Sequence, residues 1–395
     1  VDRYLLISAD CHAGGSIDQY REYLDPSYRD EFDEWRGRYS NPFRDLQGGG
    51  RTRNWDSDRR TAELESDGVV AEVLFPNTVP PFFPTGAVIA RPPSAASFEK
   101  RLAGIRAHNR WLADFCAASP GRRAGIAQIF LNDVDEAVAD VAWAKEHGLT
   151  GGVLLPGRPD DTDLPPLWDP AYEPLWSVCE DLDVPVTHHS GQGSPNYGRS
   201  ASASVMWIVE TTWFSHRPLW QLIMGGVFER HPRLRFTLTE SGCSWIPETL
   251  AMLDRYHAEM ASGRIGELKY TEDQRLSLTP SEYFARNCHV GVSFPSPHEA
   301  RAMRKVGLDR VMWGSDYPHH ESTYPHTTEG LRGAFADWDP AEVRRVTSEN
   351  VARLYGFDVG ALAPVAARVG PSVEEVAVPL DAVPADSASP AFARR

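Results

Sequence analysis

The 395-residue chain lacks any apolar run near the roughly 18 residues a membrane helix needs, and its start, VDRYLLISAD, has neither the basic opening nor the small-residue cleavage site of a secretion signal. A soluble, cytoplasmic protein is expected. Cysteine is scarce and scattered: Cys11, Cys116, Cys179, Cys243 and Cys288 make an odd set with no CxxC pair, which argues against a disulfide framework and a cysteine zinc site. Positive charge is in deficit, with 40 Lys and Arg against 55 Asp and Glu and a net charge of -15. Binding to nucleic acid rests on neutralising phosphates, so that class of partner is disfavoured. A glycine-rich phosphate loop is also missing after the first apolar run, where CHAGGS replaces the GxGxxG of a dinucleotide-binding sheet.

What is present is enough apolar content, 42% of residues, to bury a sizeable core. It is organised as eight β-branched or apolar runs: YLLISA (4–9), VVAEVLF (69–75), GIAQIF (125–130), GGVLLP (151–156), VPVTHH (184–189), LRFTLTE (234–240), CHVGVSF (288–294) and RVMWGSD (310–316). Between several of them lie segments with apolar residues at helical spacing, such as VDEAVADVAWAKEHG and AYEPLWSVCEDL. Strands alternating with helices predict a parallel sheet, and eight such units predict an α/β fold, a (β/α)8 TIM barrel over residues 1–358. An arginine- and aspartate-rich insertion after strand one (26–66) reads as a lid or as a solvated surface, and residues 359–395 read as a C-terminal arm held by some surface, such as a neighbouring subunit.

Chemistry is expected at the strand ends. Asp10 and His12 stand two apart, so both can face the barrel mouth while Cys11 packs outward. Of His188 and His189 only one can point inward, and His189, just before a glycine turn, is the preferred one. Glu240 and Asp316 end the sixth and eighth runs, where an acid buried alone would be costly. Asp10, His12, His189, Glu240 and Asp316 therefore converge as candidate ligands for one or two divalent ions, with iron, zinc or manganese favoured by the carboxylate-rich set. Glu240 is either a ligand or a group that orients ligands and shuttles protons. Asp316 is read as both ligand and general base, with His319 or His320 as the neighbouring donor.

The segments ISADCH, PVTHHSGQGSPNYG, VFERHPRLRFTLTESGCSWIPETL, MWGSDYPHHEST and SENVARLYGFD, in this order over residues 4–358, resemble the amidohydrolase superfamily, in the branch with aminocarboxymuconate-semialdehyde decarboxylase. The resemblance implies a metal-dependent barrel and assigns the ligands to Asp10 and His12, His189, position 240 and Asp316. The chain departs from the family by carrying Asp10 and Glu240 where histidines are common, and by having no lysine in GGVLLPG.

From the acid-rich site the expected reaction is hydrolysis of a thioester, ester or amide carbonyl by a metal-activated water. The alternative is non-oxidative decarboxylation of an aromatic or unsaturated acid. Trp207, Trp213, Phe214, Phe82 and Phe83 suggest an apolar small-molecule substrate, and Arg51 and Arg53 an anionic handle. An acyl-CoA thioester would satisfy both features. A homodimer is expected from the resemblance and from the need for a surface under the arm.

Overall fold

The computed structural model describes residues 2–36, 47–264 and 266–393. Eight strands run parallel in sequence order: β1 (Leu6–Ala13), β2 (Val69–Pro76), β3 (Arg123–Gln128), β4 (Gly152–Leu154), β5 (Val186–His189), β6 (Phe236–Thr239), β7 (Cys288–Ser293) and β8 (Val311–Gly314). Nearly every strand residue is buried, as expected of a parallel sheet covered by helices outside and packed side chains within. The expected (β/α)8 barrel is the observed fold.

The seam between the last and first strands closes at the mouth. The Asp316 N–H donates to the Asp10 carbonyl at 2.8 Å, the His12 N–H donates to the Tyr317 carbonyl at 2.7 Å, and the Ser315 N–H donates to Ser8 Oγ at 2.8 Å. The backbone bonds that close the cylinder thus belong to three of the five expected site residues.

The insertion after β1 is docked on the barrel. Helix Arg29–Arg36 buries Phe32, whose ring lies 6.1 Å from that of Phe82. Helix Ser57–Ser66 buries Arg60 and Leu64. Residues 37–46 of the expected lid lie outside the described residues. The Arg60 guanidinium is completely buried and donates to both oxygens of Glu72 on β2 at 2.7–3.0 Å. Its Nη1 donates to the carbonyls of His12 (2.8 Å) and Arg53 (3.0 Å). A charge in the core needs such a partner, and this one ties the insertion to the backbone of a site histidine.

The C-terminal arm finds its surface on its own barrel. Tyr4 N–H donates to the Pro371 carbonyl, Val373 N–H donates to the Asp2 carbonyl, and Arg332 donates to the carbonyls of Val378 and Pro379. Ala391 and Phe392 are buried beside helix Thr327–Phe335. No neighbouring subunit is needed to hold it. Among the described residues, no helix is long and apolar enough to cross a membrane.

Candidate metal centre

Four of the five expected residues are almost completely buried at one end of the barrel: Asp10 and Asp316 at 0%, His12 at 1% and His189 at 2% exposure. The period-two reading of β1 holds, since Asp10 and His12 face the mouth together while Cys11 is packed between them. Glu240 and Asp316 lie just beyond β6 and β8, in left-handed backbone with φ of 55° and 65°. Non-glycine residues enter that region at a cost of roughly 1–3 kcal/mol, and here the turn carries each acid to the barrel mouth.

The polar atoms meet within a few ångströms. His12 Nε2 lies 3.4 Å from Asp10 Oδ1 and 3.2 Å from Asp316 Oδ1, and His189 Nε2 lies 3.5 Å from Asp10 Oδ1 and 3.4 Å from Glu240 Oε2. One ligand atom from each of Asp10, His12, His189 and Glu240 falls within 4.8 Å of all the others. His188, the alternative to His189, is turned away, its Nδ1 3.2 Å from the Leu155 carbonyl.

Hydrogen bonding decides what this cluster offers. The Nδ1 of His189 is 3.0 Å from the Ser190 carbonyl, which keeps the ring proton on that side and leaves the Nε2 lone pair facing the cluster. Ser293 Oγ donates to Asp10 Oδ2 and leaves Oδ1 facing inward. Asp10 Oδ1, His12 Nε2, His189 Nε2 and Asp316 Oδ2 are buried and make no hydrogen bond. Buried polar atoms without partners are rare and each costs about 1–3 kcal/mol, so those of Asp10, His12 and His189, which lie against one another, with Asp316 beside His12, fit a cation. Two imidazoles with two hard carboxylates suit manganese, iron or zinc.

The electrostatics are those of mutual compensation. Burial opposes ionisation of Asp10, but its contacts with His12 and His189 hold the carboxyl well below the usual carboxylate range. Asp316 is likewise lowered, burial being outweighed by His319 and His12. Glu240 goes the other way: burial, with the negative charge of Asp316 nearby, pushes its carboxyl up to about 8, although a fifth of its side chain still meets the cavity.

His319 Nδ1 lies 2.9 Å from Asp316 Oδ1, and His319 Nε2 lies 3.1 Å from Asn77 Oδ1. The Asn77 amide is oriented by a chain of bonds: its Nδ2 donates to Asn54 Oδ1 at 2.7 Å, and Asn54 Nδ2 donates to the Arg51 carbonyl at 2.9 Å. Both ring nitrogens of His319 therefore face acceptors, a setting that suits the doubly protonated ring.

A cavity of about 450 Å3 opens above the cluster, with His12, His189, Glu240, His319 and His320 among its walls, and Trp207 and Ile89 opposite. His320 is exposed and lines it; Arg51 and Arg53 do not. Arg53 is bonded to Glu63 at 2.7 Å, and Arg59 and Arg60 are likewise spent on Glu63 and Glu72. Phe82 and Phe83 pack with the insertion and with Phe130 rather than facing the cavity, and Trp213 is exposed on another side of its helix. Asn77 and Ser293 went unread because they are neutral residues at strand ends; only their position could have drawn attention to them.

The amidohydrolase family model matches residues 34–357. Gamma-resorcylate decarboxylase of Rhizobium sp. (strain MTP-10005) is 26% identical over 270 residues, spanning 65% of this chain and 78% of its own. The solved structure of 5-carboxyvanillate decarboxylase from Sphingomonas paucimobilis covers 90% of this chain and 100% of its own, with a TM-score of 0.64 and 23% identity. The 5-carboxyvanillate decarboxylase of Novosphingobium aromaticivorans DSM 12444, solved with manganese and 4-hydroxy-3-methoxy-5-nitrobenzoic acid, covers 89% of this chain and 96% of its own (TM-score 0.67, 22% identity). These relatives overturn the expected hydrolysis, acyl-CoA thioesters included: they remove carbon dioxide from aromatic acids. The error has a physical reason, since a carboxylate-rich cation site serves water activation and carboxylate chelation equally.

Proposed function

The chain belongs to the amidohydrolase family, and on that premise we propose that it is a metal-dependent decarboxylase of an aromatic acid. The observation that carries the reading is the set of four orphaned, buried ligand atoms on Asp10, His12, His189 and Asp316 under a cavity walled by imidazoles and apolar side chains. These residues would hold one divalent ion, which supplies a Lewis acid for the substrate's carboxylate and an adjacent hydroxyl. Manganese in a solved relative supports that choice of ion.

The chain's own groups supply the proton and the shape. Loss of carbon dioxide from an aromatic ring requires a proton at the carbon that bears the carboxylate; the carbon–carbon bond then breaks and its electron pair returns to the ring. The Asp316–His319 pair would deliver that proton, a role supported by the orientation of His319 by Asn77 and by the 21% exposure of its side chain, which allows reprotonation from water. Glu240, on the cavity wall and 3.4 Å from His189 Nε2, would orient a substrate oxygen or a ligand. The apolar wall of Ile89 and Trp207 takes the ring face. His320 is a further cavity contact, whereas Arg51 and Arg53 do not line the cavity and Arg53 is paired with Glu63.

The test is release of carbon dioxide from 2-hydroxy- and 2,6-dihydroxybenzoates by the manganese-loaded protein. Asp316→Asn should lower kcat by at least a hundredfold. Hydrolysis of acyl thioesters with no carbon dioxide from any aromatic acid would sink the reading. We also propose a homodimer, supported by Val205, Val209 and Trp213, which stand 52%, 64% and 52% exposed on helix Ala201–Met224. Light scattering of the purified chain tests it.

A further inference from the structure

The cavity above the cluster has a neighbour on the far side of its apolar wall. A second chamber of about 500 Å3 abuts it, and the two share Val88, Ile89, Gly191 and Trp207. Ile89 and Trp207 are 38% and 37% exposed, unusual for large apolar side chains this close to a buried cluster, and both belong to the wall that the two chambers share. The outer chamber lies between helix Ala201–Met224, the glycine-rich turn after β5 and the segment around residue 90.

Its walls say what it would accept. Pro92, Pro195 and Ile208 join the shared apolar residues, and Gln192, Ser194, Asn196 and Ser204 add neutral polar side chains. The one charged side chain among the described lining residues, Arg91, is neutralised by Asp161 at 2.9 Å, and the Tyr197 hydroxyl is spent on Glu210. The inner chamber alone lies within the roughly 300–1,000 Å3 that holds a drug-sized ligand, so a single-ring hydroxybenzoic acid leaves room even before the outer space is used.

We infer that the two chambers form one bipartite substrate site: the inner holds the reacting aromatic acid, and the outer holds an uncharged, apolar arm carried by the same molecule. The inference rests on the decarboxylase reading and gives it a substrate class, aromatic acids bearing a butyl-sized or larger hydrocarbon or aryl substituent. The exposed wall residues become covered by that arm, and Trp207 sits between arm and ring.

Calorimetric binding to the manganese-loaded protein tests it, using 2-hydroxybenzoates that carry methyl, butyl or phenyl at C4 or C5. Burial of each added methylene should tighten binding roughly fourfold, so butyl should exceed methyl by at least tenfold at one of the two positions. In Ser204→Trp, which fills the outer chamber from an exposed helix position, and in Ile208→Asp, which charges it, the butyl-to-methyl ratio should fall close to one. A ratio near one in the unaltered protein, or a gain that survives both substitutions, overturns the inference, as does failure of the extended acids to bind. Carbon dioxide release is followed separately: extended acids that bind through the outer chamber without decarboxylating would sink the reaction and leave the bipartite site standing, and turnover of single-ring acids with no gain from the arm would do the reverse.

Discussion

Replacing Arg60 by methionine should destabilise the barrel by about 3–5 kcal/mol, the cost of leaving one partner of a buried ion pair uncompensated. The geometry sets this magnitude: Arg60 and Glu72 are 0% and 2% exposed, joined by three contacts of 2.7–3.0 Å, and the guanidinium stacks 4.8 Å from the centre of the Tyr317 ring. Arg123 lies 3.5 Å from Glu72 and would relieve part of the strain, which places the loss toward the lower end. Glu72→Leu should cost about as much, because it strands Arg60 instead. The double variant removes both charges and should recover part of the loss, the remaining deficit coming from the orphaned carbonyls of His12 and Arg53 and from buried Arg123, which loses its counter-ion. Urea unfolding of the four proteins reads the coupling directly. Losses that add to within about 0.5 kcal/mol would refute the reasoning, since additivity is the mark of sites that do not interact. Manganese affinity separates packing from positioning: it should stay weakened in the double variant, because the His12 carbonyl has lost its donor even where part of the stability has returned.

Three further outcomes follow from the same structure. Manganese at a hundred times its dissociation constant should stabilise the folded chain by about 2.7 kcal/mol, visible as a rise in Tm that disappears in His12→Ala and Asp10→Ala; a rise retained in both would exclude the cluster as the binding site. His108 is buried against Tyr20 and held neutral, its pKa pushed down to about 3 by desolvation. The unfolded chain takes up that proton at about pH 6.5 while the folded chain does not, so this contribution is complete above pH 6.5 and is lost as pH falls toward 3, at up to about 1.4 kcal/mol per pH unit. His108→Phe should flatten the acid limb of a Tm-against-pH curve, and an unchanged limb counts against a neutral His108. Phe392→Ala should cost about 2–4 kcal/mol in a denaturant titration because the ring is buried against the barrel; a loss under about 0.5 kcal/mol would mean that the arm is not docked in solution.

The barrel was legible because its strands are covered on both faces and so read as continuous apolar runs, with acids or histidines appearing only where those runs end. Asp10, His12, His189, Glu240 and Asp316 could be picked out because each would be expensive in the core without a shared partner. The fate of the arginines was not legible. Arg53, Arg59 and Arg60 look alike in the sequence, and only the approach of Glu63 and Glu72 from other turns of the chain spends them on ion pairs. Phe82 and Phe83 misled for a related reason: an aromatic pair beside a strand end serves a core as readily as a cavity, and here the insertion supplies that core. Asn77 and Ser293 give no signal because a neutral polar side chain can satisfy its hydrogen bonds with any nearby backbone, so its residue type does not demand a shared site, although they orient His319 and Asp10.

The seam at the barrel mouth joins segments roughly 300 residues apart, with Asp10 and His12 near the beginning of the chain and Asp316 and Tyr317 late in it. During synthesis the first strand emerges long before its final neighbour exists, and closing so long a loop is the slow, entropically expensive step. Seven strand pairings can form one after another before that closure, but Asp316 joins Asp10 and His12 only when β8 arrives. A nascent or C-terminally clipped chain can therefore hold most of the sheet and still have no complete cation site, so that full metal loading reports the finished cylinder.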